Sequence, residues 1–254
     1  MIISRVIPCL LLRNNGLVKT VKFKDATYVG DPINAVKIFN EKEVDELIFL
    51  DIDASKNKKE PPYELLKDIA SECFMPLCYG GGISTTEQIR KIIKCGVEKV
   101  SINTSAFKNP GFIKEASEIF GASTIVVAID VKKSLFGKYT VYINGGKDNT
   151  GKDPVEYAML AEKMGAGEIL LNSIDKDGTM QGYDIEIVKR VSSVVKIPLI
   201  VSGGAGSIEH MKEGISKGGA SAVSAGSFFV FHGKRRAVLI SYPSIEEIKY
   251  IFAK

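Results

Sequence analysis

The 254-residue chain has no tryptophan and only two histidines, His210 and His232, so a metal centre built on several imidazoles is excluded. Its four cysteines, Cys9, Cys73, Cys78 and Cys95, form no CxxC pair. Cys9 and Cys78 sit inside apolar runs, where a free thiol behaves as a small hydrophobe. That pattern argues against zinc or dithiol chemistry and for a reducing compartment, and no metal or redox cofactor is implied. No block of like charge is present. The 34 basic residues are interleaved with 30 acidic ones, a balance that gives nucleic-acid binding no support. Long apolar runs are missing too. MIISRVIPCLLL falls far short of the roughly 20 residues a membrane span needs, and it has no cleavage-site pattern. The expectation is a cytoplasmic protein that does not meet a membrane.

What is there is a regular alternation of strand and helix signals. Strands are expected at Val6–Leu11, Glu46–Asp51, Pro76–Gly80, Lys99–Asn103, Val126–Asp130, Glu168–Asn172, Pro198–Ser202 and Ala220–Ala225. Helix starts are marked by Asp31-Pro32, Asn109-Pro110 and Asp153-Pro154, and by S-x-x-E at Ser84/Glu87 and Ser244/Glu247. Another helix is expected near Pro62–Glu72, a polar, lysine-containing loop over Arg13–Gly30, and a hairpin over the site from KYTVYI and GGKDNTG. An internal repeat sharpens this. ELIFLDIDAS at Glu46 returns as EILLNSIDKDG at Glu168, and PLCYGGGIS at Pro76 returns as PLIVSGGAGS at Pro198, both at a spacing of 122. Two four-unit halves, about 1–123 and 124–254, make a single (β/α)8 TIM barrel, for which about 250 residues is typical.

The chemistry-bearing residues gather at expected strand ends, where sites in parallel α/β folds assemble. Gly81 and Gly82, with Asn103 and Thr104, form one glycine-rich turn and its neighbour. Gly203 and Gly204, with Gly226 and Ser227, form the repeat-related other. Backbone N–H groups freed of Cβ atoms at a helix start suit phosphate, so a small molecule phosphorylated at both ends is the expected ligand. Asp130 ends the strand VVAID and is the acid/base candidate. Lys19, Asp51, Asn172 and Asp177 complete the candidate substrate site. At the other strand ends Arg5, Glu46, Lys99 and Glu168 form a charged set, which residue type alone reads as a stabilising ion-pair cluster.

Through RVIPCL, DELIFLDIDAS, GGGIS, KVSINTSA, VVAID, GAGEILLNSIDKDGT and SGGAG, over residues 1 to about 230, the chain resembles the cyclase subunit of imidazole glycerol phosphate synthase. The resemblance implies a glutaminase partner on the N-terminal face of the barrel. It implies that Arg5, Glu46, Lys99 and Glu168 form an ammonia gate, and that ammonia crosses the core to a bisphosphorylated ribulosyl-carboxamide. It also makes Asp130 one of two catalytic carboxylates. The other is missing: Leu11 stands where the family carries aspartate, in IPCLL, the repeat counterpart of VVAID. Asn172 replaces the usual threonine, and FFVFHGKRRAVLISYPS replaces a short link to the last helix. These departures resemble a divergent branch associated with glycosyl amidation, in which a separate sugar amidotransferase receives the ammonia and a surface with Arg235, Arg236 and Tyr242 meets it. Three roles stay open: an ammonia-conducting subunit for sugar amidation, a working cyclase of histidine biosynthesis with Asp51 or Asp53 compensating for Leu11, and a non-catalytic activator of the glutaminase that binds a phosphorylated effector.

Overall fold

A computed structural model describes residues 5–233 and 235–253. Met1–Ser4, Lys234 and Lys254 lie outside the described residues, and so does the part of the N-terminal reading that rests on them. Counting barrel strands and principal helices alone, the order is β1 Arg5–Arg13, α1 Pro32–Glu41, β2 Leu47–Asp51, α2 Tyr63–Ser71, β3 Leu77–Gly80, α3 Thr86–Lys94, β4 Lys99–Ile102 and α4 Gly111–Phe120. It continues with β5 Ile125–Lys133, α5 Pro154–Lys163, β6 Glu168–Ser173, α6 Ile185–Ser192, β7 Leu199–Ser202, α7 Ile208–Ser216, β8 Ala222–Ala225 and α8 Ile245–Phe252. Each strand pairs in parallel with the next, and β8 pairs with β1, which closes the sheet into a (β/α)8 barrel. Among the described residues no helix is long and apolar enough to cross a membrane.

Closure follows from strands that are apolar on both faces. One alternating set, Ile7, Cys9, Ile48, Cys78, Val126, Ala128, Leu170, Ile200 and Ala222, points to the barrel axis. The other set, with Val6, Leu10, Phe49, Tyr79, Val127 and Leu171 in it, packs under the helices. The helices start where their caps dictate: Asp31 accepts from the Asn34 amide, Asp153 from those of Val155 and Glu156, and Ser244 forms its box with Glu247.

Four local expectations are corrected. The box expected at Ser84/Glu87 is made by Thr85 and Gln88, whose neutral amide oxygen accepts from the backbone as Glu would. Helix α4 begins one residue after Asn109-Pro110, with no side-chain cap. Arg13–Gly30 is not a loop but a hairpin, Gly16–Val21 against Lys24–Gly30, continuing antiparallel from β1. Its turn places Lys22 and Phe23 at φ 53° and 62°, and with no glycine there the usual hairpin signal is absent. Finally, β5 runs on past Asp130 to Lys133, because Tyr139–Ile143 pairs with it as the first arm of the expected hairpin.

Candidate active site at the barrel mouth

The C-terminal ends of the strands surround a cavity of about 390 Å³. Every mouth residue singled out above lines it: Leu11, Lys19, Asp51, Gly81, Gly82, Asn103, Thr104, Asp130, Asn172, Asp177, Gly203, Gly204, Gly226 and Ser227. The two glycine turns enter from β3 and β7, four strands apart and so across the mouth from one another. Gly82 at φ 70° and Gly203 at φ 85° hold a left-handed backbone that side chains resist, and this bends each turn back over its strand. In the first turn the Gly82 amide donates to Ser55 Oγ at 3.2 Å, while Thr104 Oγ1 accepts from the Asn144 amide at 3.0 Å. Asn144-Gly145-Gly146, the turn of the hairpin, thereby joins this side of the mouth, a contribution signalled in sequence by GGKDNTG alone.

Asp130 sits where parallel pairing to β6 gives way to the antiparallel arm. Its Oδ2 accepts from Asn103 Nδ2 at 3.2 Å and its Oδ1 from Asn172 Nδ2 at 3.3 Å. The amide of Asn103 also donates to the Ala128 carbonyl, so Asn103 orients the acid as well as bordering the first turn. Burial pushes the Asp130 carboxyl up to about 7, the Asn172 hydrogen bond opposes that rise, and the charge of Asp177 adds to it. A carboxyl with that value can hold or release a proton near neutrality, as a general acid/base must.

This shift has a stability consequence. Because the folded carboxyl binds its proton more tightly than the ordinary value of 3.8, folding takes up protons between about pH 4 and pH 7, and stability falls as pH rises through that window. Asp130→Asn is expected to remove that part of the slope and to be more stable than the wild type at pH 8, by roughly 4 kcal/mol at most. Urea unfolding of both proteins across pH checks it. Asp51 is also raised by burial, but it is common to both proteins and cancels in the difference, whereas Asp177, whose charge acts on Asp130, contributes to the measured slope.

The remaining polar candidates are engaged locally. Lys19 is only 5 % exposed, and its Nζ donates to the Cys9 carbonyl at 2.6 Å beside Gly226, so the hairpin buries it rather than leaving it solvated. Burial lowers its pKa, and burial raises the Cys9 thiol to about 11, which leaves it an unreactive thiol. Asp51 accepts from the amides of Asp53 and Ala54, and Asp53 pairs with Arg13 at 2.9 Å. Asp177 accepts from Thr20 Oγ1 at 2.7 Å and the Phe23 amide at 3.1 Å, tying the Gly16–Gly30 hairpin down over the mouth. Opposite Asp130, Leu11 pairs in register with Leu50 and packs on the inner apolar cluster. Basic residues that sequence reasoning passed over, Arg13, Lys22, Lys24, Lys56, Lys132 and Lys147, also line the cavity. They are scattered along the chain, at strand ends, in the first hairpin and in the loops after the strands, and only folding brings them to one rim.

At the opposite end Arg5, Glu46, Lys99 and Glu168 meet on the axis. Arg5 pairs with Glu46 and, at 3.0 Å, with Glu168, and Lys99 bridges the same two carboxylates at 3.0 and 3.1 Å. The alternating charges close a ring. Burial would lower the pKa of Arg5, but Glu46 and Glu168 together raise it. Tyr242, expected on an interaction surface, instead packs on Phe229 and donates its hydroxyl to the Val6 carbonyl at 2.7 Å. It anchors the C-terminal segment, while Arg235 and Arg236 remain exposed.

A family model described as histidine biosynthesis protein matches residues 5–235. A Pseudomonas aeruginosa protein, provisionally named imidazole glycerol phosphate synthase subunit hisF2, is 53% identical over 248 residues, covering 98% of this chain and 99% of that one. A Vibrio vulnificus protein, provisionally named subunit hisF3 of the same synthase, is 53% identical over 250 residues, 98% of this chain and 96% of its own length. The imidazole glycerol phosphate synthase subunit HisF of Alkaliphilus metalliredigens is 45% identical over 232 residues, 91% of this chain and 92% of that protein.

Proposed function

The chain belongs to the histidine biosynthesis protein family, as a barrel of the imidazole glycerol phosphate synthase HisF type, and from that premise we propose that it conducts ammonia for a reaction other than imidazole formation. In this reading a glutaminase docks on the N-terminal face, over the ring of Arg5, Glu46, Lys99 and Glu168. The ring separates to admit ammonia. Neutral ammonia then crosses the apolar axis, which would reject ammonium for want of a counter-charge. A separate amidotransferase at the mouth uses it to amidate a sugar, and the two glycine turns hold a phosphorylated ligand.

One observation carries this reading: the end of β1, across the mouth from Asp130, carries Leu11 and not a second acid. Leu11 offers no proton opposite Asp130, and the carboxylates that could stand in for the missing acid are engaged elsewhere, Asp51 by two backbone amides and Asp53 by Arg13. Two relatives of 53% identity carry a numeral in their printed names, hisF2 and hisF3, as further copies of a subunit would. Arg235 and Arg236, exposed beside the mouth loop that Arg236 touches at the Gly178 carbonyl, suit the docking of an acidic acceptor.

The test is turnover of the ribulosyl-carboxamide bisphosphate at high ammonium, without a partner. The wild type is expected to be silent. Turnover of about 1 s⁻¹ or more, the ordinary enzyme range, would mean a working cyclase and would overturn the proposal. With glutaminase and acceptor added, labelled glutamine amide nitrogen is expected in the sugar product.

A further inference from the structure

Between the ring and the mouth the barrel axis is lined by apolar side chains and thiols, among them Ile7, Cys9, Ile48, Cys78, Val126 and Leu170. Ser224 interrupts that lining. It stands in register with Ile7, and Ala222, two residues earlier, belongs to the same inner cluster, so strand alternation turns the serine side chain onto the axis. Two residues later Gly226 borders the mouth cavity, which Ser224 itself lies beneath. Ser101 and Ser202, inward hydroxyls nearby, already line that cavity.

Ser224 is 0% exposed, and its Oγ has no hydrogen-bond partner among the described residues. Its backbone is satisfied separately, since the carbonyl accepts from the Tyr183 hydroxyl at 2.9 Å. A buried hydroxyl with nothing to bond is disfavoured, and alanine would fill the same position without that penalty. The group is therefore suited to a guest. The guest must be small, because the layer is packed. It must be uncharged, because no carboxylate shares the layer, and it must accept or donate a hydrogen bond.

Resting on the ammonia-conducting reading above, we propose that Ser224 Oγ is a binding point for neutral ammonia, donating its proton to the ammonia lone pair. Arg5 of the ring pairs in register with Ala222, so Ser224 stands two residues, roughly 7 Å, above the ring and the same distance below Gly226. A molecule that has left water at the ring thus finds one hydrogen bond halfway along a path that otherwise offers almost none, and the barrier to crossing is split in two.

The experiment uses the isotope-labelled full chain and ammonium chloride as probe, with backbone amide resonances followed by NMR. On the alkaline side, where neutral ammonia is abundant, saturable shifts are expected at Val223–Ala225 and Ile7. At mildly acidic pH, where nearly all is ammonium, and with potassium chloride, none is expected. Ser224→Ala and the near-isosteric Ser224→Cys are expected to weaken the alkaline response by about tenfold, the value of one hydrogen bond. Ser224→Ala is also expected to melt about 2–4 °C higher than the wild type. Absent shifts, shifts unchanged in Ser224→Ala, or a lower melting temperature for that variant, as a permanently held water would produce, each overturn the proposal. The titration needs neither glutaminase nor acceptor, so it can fail while labelled glutamine nitrogen still reaches the sugar, and the reverse outcome condemns the conduction reading alone.

Discussion

Leu11→Asp is expected to convert a silent barrel into one that turns over the ribulosyl-carboxamide with free ammonia, by about 10²- to 10⁴-fold over the wild-type background. β1 and β5 are four strands apart in a closed barrel of eight, so a carboxylate at position 11 faces Asp130 across the mouth. Asp130 is already suited to one proton transfer, since its carboxyl stands at about 7. A second carboxylate would rise from the inner apolar cluster, where Leu11 now packs with Leu50, and Lys19, on the adjoining hairpin strand, is close by, its Nζ bonded to the carbonyl of Cys9 two residues before Leu11. Exchanging leucine for aspartate there costs about 2 kcal/mol of apolar burial, which a barrel of this size tolerates. Steady-state assay of both proteins at high ammonium checks the prediction. If Leu11→Asp binds the bisphosphate yet gains nothing, the loss of chemistry does not reside at this position. If it no longer binds the bisphosphate, the glycine turns have diverged as well.

The second large effect is expected at the ring. Glu46 is almost wholly buried and is shared by Arg5 and Lys99. Glu46→Ala removes the carboxylate that both cations use and leaves Glu168 to serve them alone, an uncompensated charge at the entrance to an apolar core. Breaking a buried pair from one side costs about 3–5 kcal/mol, and the lower end applies because Arg5, Lys99 and Glu168 keep 11–17% side-chain exposure. At about 2–4 °C per kcal/mol for a chain of this length, thermal unfolding should show a drop of order 10 °C. Replacing Arg5, Glu46, Lys99 and Glu168 together with apolar residues of similar volume is expected to recover much of the loss, because it removes the desolvation penalty with the charges. Were the quadruple variant less stable than Glu46→Ala, the ring would be a net stabilising element and not one held closed against its own desolvation.

How far the site could be read in advance differs from residue to residue. The glycine turns and Asp130 were legible because their signals are local: a run of apolar residues, then the residue whose backbone or charge the strand end requires. The hairpin over Gly16–Gly30 was not, because its turn uses Lys22 and Phe23 at positive φ where glycine or asparagine would announce it. Lys19 reads as solvated in any list of polar loop residues, and only that hairpin, held by Asp177, brings it under the mouth. Tyr242 looked like surface, yet its ring found Phe229 and its hydroxyl the Val6 carbonyl at the far end of the chain.

By itself the amino-acid order determined the barrel, its internal repeat and a leucine at the repeat counterpart of Asp130. Hydrophobic periodicity, turn glycines and a repeat spacing of 122 are all properties of residues near one another or in translation along the chain. Tertiary structure alone decided which charges close on one another and which polar groups are left without partners. The ring joins residues at the starts of four strands. The environment that raises Asp130 comes from burial, Asn172 and Asp177. The unpaired hydroxyl of Ser224 is visible only once every neighbour is in place. Burial and hydrogen-bond satisfaction are sums over everything that surrounds a group, and in a closed sheet most of what surrounds it is distant in sequence.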